Sequence, residues 1–178
     1  KWENYAGGFI PDGSGSDIED DENLSLESRL TKKMTLYDHL ILELRLSNFT
    51  KTEELIGSLI IGNIDEDGYL RISLADIAET SGVDEAAVEN VLRQIQEFDP
   101  LGVGARDLKE CLLIQAKHRI GDSPIVEEIL ANHIPDLQNN RLQIIAKKLE
   151  VPLEKVVEAA RLISELGPNP GRHFNEEE

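Results

Sequence analysis

Two stretches decide the fold: "LADIAETSGVDEAAVENVLRQIQEFDP" (Leu74–Pro100) and "LQIIAKKLEVPLEKVVEAARLISELGP" (Leu142–Pro168). Laid over one another at an offset of 68 residues, they agree at nine of 27 positions: Leu74/Leu142, Ile77/Ile145, Ala78/Ala146, Val83/Val151, Val88/Val156, Arg93/Arg161, Ile95/Ile163, Glu97/Glu165 and Pro100/Pro168. Each copy reads Ile-Ala, four residues, Val, four residues, Val. That is the spacing of a helix-turn-helix: a small Ala lets two helices cross closely, and the Val residues close the angle between them. Two unrelated amphipathic hairpins that happen to match are the alternative.

Helical periodicity extends outward from this pair. "TLYDHLILELRL" places Thr35 as an N-cap and Leu36, Leu40, Ile41 and Leu44 on one face. "TKTEELIGSLIIGNI" gives Leu55, Ile56, Leu59 and Ile60 a shared face, and Gly57 and Gly62 suggest close helix approach. Ser73 and Asp76 have capping-box spacing, Gly82 ends that helix, and Asp84 caps the next. Asp107 or Ala105 opens "LKECLLIQAKHRI"; Ser123 and Pro124 open "IVEEILANHI", which Pro135 stops. "NRLQIIAKKL" and "PLEKVVEAARLISEL" follow, and Gly167-Pro168 ends the last. No sheet pattern is present. The expected fold is all-α: two small helical lobes with helix-turn-helix-like hairpins, 35–100 and 101–178, preceded by an irregular acidic arm, 1–34, rich in Gly, Ser and Asp.

Charge narrows the function classes. Among 178 residues, 35 acidic against 18 basic side chains leave a net charge of -17. Residues 35–100 carry a net -10 and residues 101–178 only -3, so the change near Pro100 marks a boundary between lobes. In the second helix of the first copy, Asp84, Glu85, Glu89 and Glu97 face Arg93 alone; the second copy sets Glu154, Glu158 and Glu165 against Lys155 and Arg161. A recognition helix lies between two walls of phosphates, and both of these would be repelled. The hairpins are therefore scaffolds for protein contact, with a helix-turn-helix DNA-binding regulator as the alternative.

Catalytic and metal chemistry is poorly served. "NIDEDGYL" has Asn63, Asp65, Asp67 and Gly68 at calcium-loop spacing, but Leu74 stands where a bidentate Glu should close the cage. The four His residues are scattered, and Cys111 is the single cysteine, so zinc spacing and an internal disulfide are both absent. Gly102-Val103-Gly104 lacks the strand and third glycine of a nucleotide loop. The sequence is read as a non-enzyme without cofactors. One cysteine fits a reducing, cytoplasmic setting, no apolar run reaches membrane-span length, and Lys1 in place of Met suggests a piece of a longer chain.

The lobes meet at "EFDPLGVGARDLKECLLIQ" (Glu97–Gln115). Pro100 stops a helix, Gly102 and Gly104 allow a positive φ, and Asp107 can cap the next helix. A bare joint does not need Leu101, Val103 and Leu108. Phe98, Asp99, Pro100, Leu101, Gly102, Val103, Gly104, Arg106 and Asp107 are thus expected to pack between lobes or to form part of a partner contact or hinge.

This connector, with "TLYDHLILEL", "IDEDGYL", "LGPNPGR" and an arm carrying Trp2, Tyr5 and "GSGSDIEDDE", resembles the core-binding region of bacterial sigma-54 transcription factors and the acidic linker before it. The resemblance implies docking on core RNA polymerase, through its β and β′ subunits, to form a holoenzyme. It further implies that Asp17, Glu19, Asp20, Asp21 and Glu22 lie in the polymerase's basic nucleic-acid channel as a phosphate mimic. The family's promoter-reading and activator-responsive regions have no counterpart in this sequence. Promoter DNA and the ATP-dependent activator are therefore partners expected of the full-length factor, and no membrane is implied.

Overall fold

The computed structural model describes residues 34–175, which contain ten helices and no strand. Helices α1 (Leu36–Leu46) and α2 (Lys51–Ile61) are both opened by capping boxes. Thr35 Oγ1 accepts from the Asp38 N–H at 3.1 Å while the Asp38 carboxylate accepts from the Thr35 N–H; Thr50 and Glu53 repeat the exchange. Each box satisfies N–H groups that a helix start leaves without partners. Gly57 lets the two helices approach, because a Cβ there would stand 2.6 Å from Leu44 Cδ1. Gly62 has a different role: it caps the end of α2 and faces that helix's own last turn.

The two repeated segments fold alike. Helix α3 (Leu74–Ser81) turns at Gly82 into α4 (Glu85–Ile95), and α8 (Leu142–Leu149) turns at Glu150 into α9 (Leu153–Ser164). Gly82 and Glu150, equivalent positions, are both left-handed, at φ 69° and 54°. In both turns the carbonyl of the Ala shared by the two copies accepts two amides, Gly82 and Val83 on Ala78, and Glu150 and Val151 on Ala146. Ile77, Ala78, Val88 and Ile95 are buried, as are Ile145, Ala146, Val156 and Ile163. The repeat read in the sequence is thus a repeated tertiary unit.

Between the hairpins come α5 (Leu108–Arg119), α6 (Pro124–Asn132) and α7 (Ile134–Gln138); α10 (Arg172–Asn175) follows the second hairpin. Asp107 caps α5, accepting from Glu110 N–H at 2.7 Å. Ser123 precedes α6 without a side-chain cap, and Pro124 occupies its first turn. Pro135 does not end helical structure as the sequence suggested; it sits in the first turn of α7, where a missing N–H costs nothing. The α2 core face is also shifted: Leu55 is 55% exposed, and Ile61 is buried with Ile56 and Ile60. The short α10 carries no periodic signal and was not anticipated.

All described residues belong to one compact unit. Its apolar interior forms two clusters: one draws on α1 to α4 and ends at Val103, and the other runs from Leu112 to Leu166. Tyr69, Ala105 and Cys111 make a third, small cluster.

Candidate protein-docking interface

The connector 96–107 is built from close backbone approaches. Gly104 N–H donates to Gly68 O at 2.7 Å, and Leu70 N–H donates to Ala105 O at 3.0 Å, pairing the connector with the "IDEDGYL" turn. Gly102, at φ 88°, lies against α5: a Cβ would stand 3.1 Å from Cys111 Sγ and 3.2 Å from its carbonyl. The Asp99–Pro100 peptide is cis. On the other side of the turn, Gly171 N–H donates to Asp67 O, and a Cβ on Gly68 would meet Pro170 Cγ at 2.7 Å.

Side chains close the same seam. Gln115 uses both ends of its carboxamide on one residue, donating from Nε2 to Gly167 O at 2.7 Å and accepting from Gly167 N–H at 2.9 Å. Tyr69 Oη donates to Pro168 O. Arg106 spans α4 and α5: Nη1 meets Glu89 at 3.0 Å, and Nη2 meets Glu110 at 2.5 Å. Asp65 accepts from Tyr69 N–H and pairs with Arg71, so both carboxylate oxygens of the calcium-like turn are engaged within the turn itself. Among the described residues, no group of three His, Cys, Asp or Glu side chains is arranged to hold a metal.

The electrostatics follow from this packing. Burial opposes ionisation of Glu110, but the hydrogen bonds from Arg106 prevail and hold its carboxyl below the ordinary value; the same pairing raises Arg106. Burial raises Cys111, which keeps it a thiol, and pushes Tyr69 up to about 12 with the help of the nearby Cys111. A buried, protonated thiol is a packing group and a poor nucleophile.

Most connector residues named from the sequence face inward. Phe98, Gly102, Val103 and Gly104 are buried, and Pro100 and Leu101 are half-buried. Phe98 stacks edge-on with Phe49 and Val103 joins the first apolar cluster, whereas Leu108 packs on the second. The outward members are Asp99, Arg106 and Asp107. Asp99 N–H donates to the Glu43 carboxylate, tying the connector to α1. The acidic set Asp17, Glu19, Asp20, Asp21 and Glu22 lies outside the described residues.

A family model described as the sigma-54 factor core binding domain matches residues 25–178. The chain belongs to the sigma-54 core-binding domain family. It is similar to proteins named RNA polymerase sigma-54 factor: 39% identical to that of Xanthomonas euvesicatoria over 171 residues, 92% of this chain and 36% of the relative. The counterpart from Escherichia coli (strain K12) is 35% identical over 177 residues, 96% of this chain and 37% of the relative, and that of Acidithiobacillus ferridurans is 38% identical over 169 residues. The chain therefore spans little more than a third of the length of the first two relatives. Among the described residues, no helix is long and apolar enough to cross a membrane.

Three of the segments that carry the sigma-54 resemblance, "IDEDGYL", the connector and "LGPNPGR", converge on this one seam. Sequence reasoning placed the connector there but missed Gln115 and Tyr69, whose partners lie at Gly167 and Pro168. It also missed a feature of the second hairpin. Ile144, Leu153 and Val157 are 42%, 40% and 48% exposed, and at the equivalent places the first hairpin has Asp76, Glu85 and Glu89. The signal was available in the repeat, in the positions that differ.

Proposed function

We propose that this chain docks on core RNA polymerase as the core-binding segment of a sigma-54-type transcription initiation factor. The observation that carries the reading is the core-binding-domain match, which runs from residue 25 across every described helix. In this reading residues 35–100 and 101–178 act as two lobes locked by the seam, and the β and β′ subunits are the partners. Asp99, Arg106 and Asp107 supply connector groups that a partner can reach. Phe98, Pro100, Leu101, Gly102, Val103 and Gly104 act by fixing the shape of the seam. Asp17, Glu19, Asp20, Asp21 and Glu22 occupy the basic nucleic-acid channel of the polymerase, a role their charge density supports. Duplex DNA is disfavoured for this segment alone by the carboxylates of α4 and the low positive charge of α9.

Gel filtration of the chain with core polymerase tests the reading. Co-elution at low salt that weakens as salt is raised is the expected result; separate elution at low salt overturns it.

A further inference from the structure

We propose that residues 168–174 are a latch that fixes the angle between two helical bodies hinged at the connector. The substantial helix–helix contacts of the described residues fall within α1–α4 or within α5–α9. The buried apolar residues divide in the same way, into one cluster that ends at Val103 and another from Leu112 to Leu166. What lies between the two bodies is mostly polar. It consists of backbone amides and carbonyls, the Tyr69 hydroxyl and the Arg106 pairs with Glu89 and Glu110, around the small Tyr69, Ala105 and Cys111 cluster. Bodies that share no large apolar interface move relative to one another unless something ties them.

Among the described residues the chain crosses from one body to the other in the connector and again in 168–174. The root of this second crossing is held on the second body, where Gln115 takes both the carbonyl and the amide of Gly167, at 2.7 and 2.9 Å. The residues that follow lie on the first body. The Pro168 carbonyl accepts from Tyr69 Oη, Pro170 lies against Gly68, and Gly171 N–H donates to Asp67 O at 3.0 Å. Phe174 then packs on the first apolar cluster, its ring centroid 5.2 Å from that of His39 on α1. The run lies flat on its seat, because a Cβ on Gly171 would run into the Glu66 carbonyl. Each of these holds is a single contact: a hydroxyl, an amide, a half-buried ring. Pro168 and Pro170 bring no amide donors. A segment held in this way opens at less cost than either helical body, whose core would have to unfold. Its release leaves the connector as the pivot.

The test reads the angle in the chain alone and needs no partner. Spin labels at Glu79→Cys on α3 and Glu158→Cys on α9, both exposed positions, report the distance between the bodies by pulsed electron resonance. Cys111 is buried and stays unlabelled. Gly171→Ala blocks the seating of the run without touching either apolar core. Phe174→Ala removes its end anchor and carries the test should the first variant fail to fold. The parent is expected to give one narrow distance. Both variants are expected to keep the parent's helical circular dichroism and to broaden that distance. The residue 171 amide should exchange about tenfold faster or more in the variants, while the Gly167 amide, held by Gln115, keeps its protection. A broad distance in the parent, or folded variants that keep the narrow one, overturns the latch. So does failure of both variants to fold, or loss of protection in the core amides of α1–α4 or α5–α9 along with residue 171, since either result makes the run part of a helical core.

Discussion

Replacing Gln115 by Leu tests whether the seam holds the fold together. The Gln115 side chain is 3% exposed and makes two hydrogen bonds to Gly167, at 2.7 and 2.9 Å. Leu keeps comparable bulk, so the loss falls on the hydrogen bonds and leaves little cavity. Each such bond contributes about 1 kcal/mol net, which gives a destabilisation of roughly 2 kcal/mol. In a domain of this size 1 kcal/mol moves the midpoint by about 2–4 °C, so the expected drop is about 4–8 °C. Thermal and urea unfolding followed by circular dichroism read it directly. Gln94→Leu, at an exposed position on α4, is the control and should stay within about 0.5 kcal/mol of the parent. Hydrogen exchange adds a local readout, because the Gly167 amide loses its acceptor and should exchange faster. A Gln115→Leu midpoint within about 1 °C of the parent would refute the assignment of the seam as a structural lock.

Glu150 is left-handed at φ 54° where its repeat partner Gly82 is a glycine. Glu150→Gly should therefore stabilise by about 0.5–1 kcal/mol and Gly82→Ala should destabilise by about 1 kcal/mol, both read by urea unfolding. Gly68→Ala combines a positive φ with a Cβ 2.7 Å from Pro170 and 3.0 Å from the Gly171 backbone; a loss above about 2 kcal/mol is expected in the same assay. The Glu110 carboxyl is lowered from 4.5 by Arg106 against the opposing effect of burial. Its contribution to stability is then present above about pH 4.5 and lost as pH falls through the depressed folded value. Glu110→Gln should make the acid limb of a stability–pH profile shallower. Cys111 is buried and its thiol raised, so a thiol reagent should label the chain in denaturant and leave the folded chain nearly untouched.

The helices were legible where local chemistry sets them. Thr35, Ser73, Asp84 and Asp107 are caps whose side chains accept from the amide three residues on, a relation that sequence spacing carries unaided. The paired hairpins were legible because the same small and β-branched residues recur at one offset. Pro135 and Leu55 were misread for reasons outside their local windows. Pro135 follows a break at His133, whose backbone leaves the helical region at φ -127° and ψ 17°, and which face of α2 is buried depends on how α2 packs against neighbours remote in sequence. The seam was half legible. The glycines and the proline of the connector announced a tight turn. The groups that close the seam lie tens of residues away, Gly68 opposite Gly104 and Gly167 opposite Gln115, and nothing in the connector names them. The aliphatic face of α9 escaped because periodicity counts Leu153 and Val157 as ordinary core candidates; only the carboxylates at equivalent places in the first hairpin mark them as surface.

Crosslinking mass spectrometry of this chain mixed with core RNA polymerase addresses the central claim most directly. Docking through a protein surface predicts crosslinks from the chain to the β and β′ subunits, reaching Lys148 and Lys155 on the second hairpin and reduced at high salt. A mixture in which crosslinks join only copies of the chain to each other, or appear only once promoter DNA is added, would contradict it.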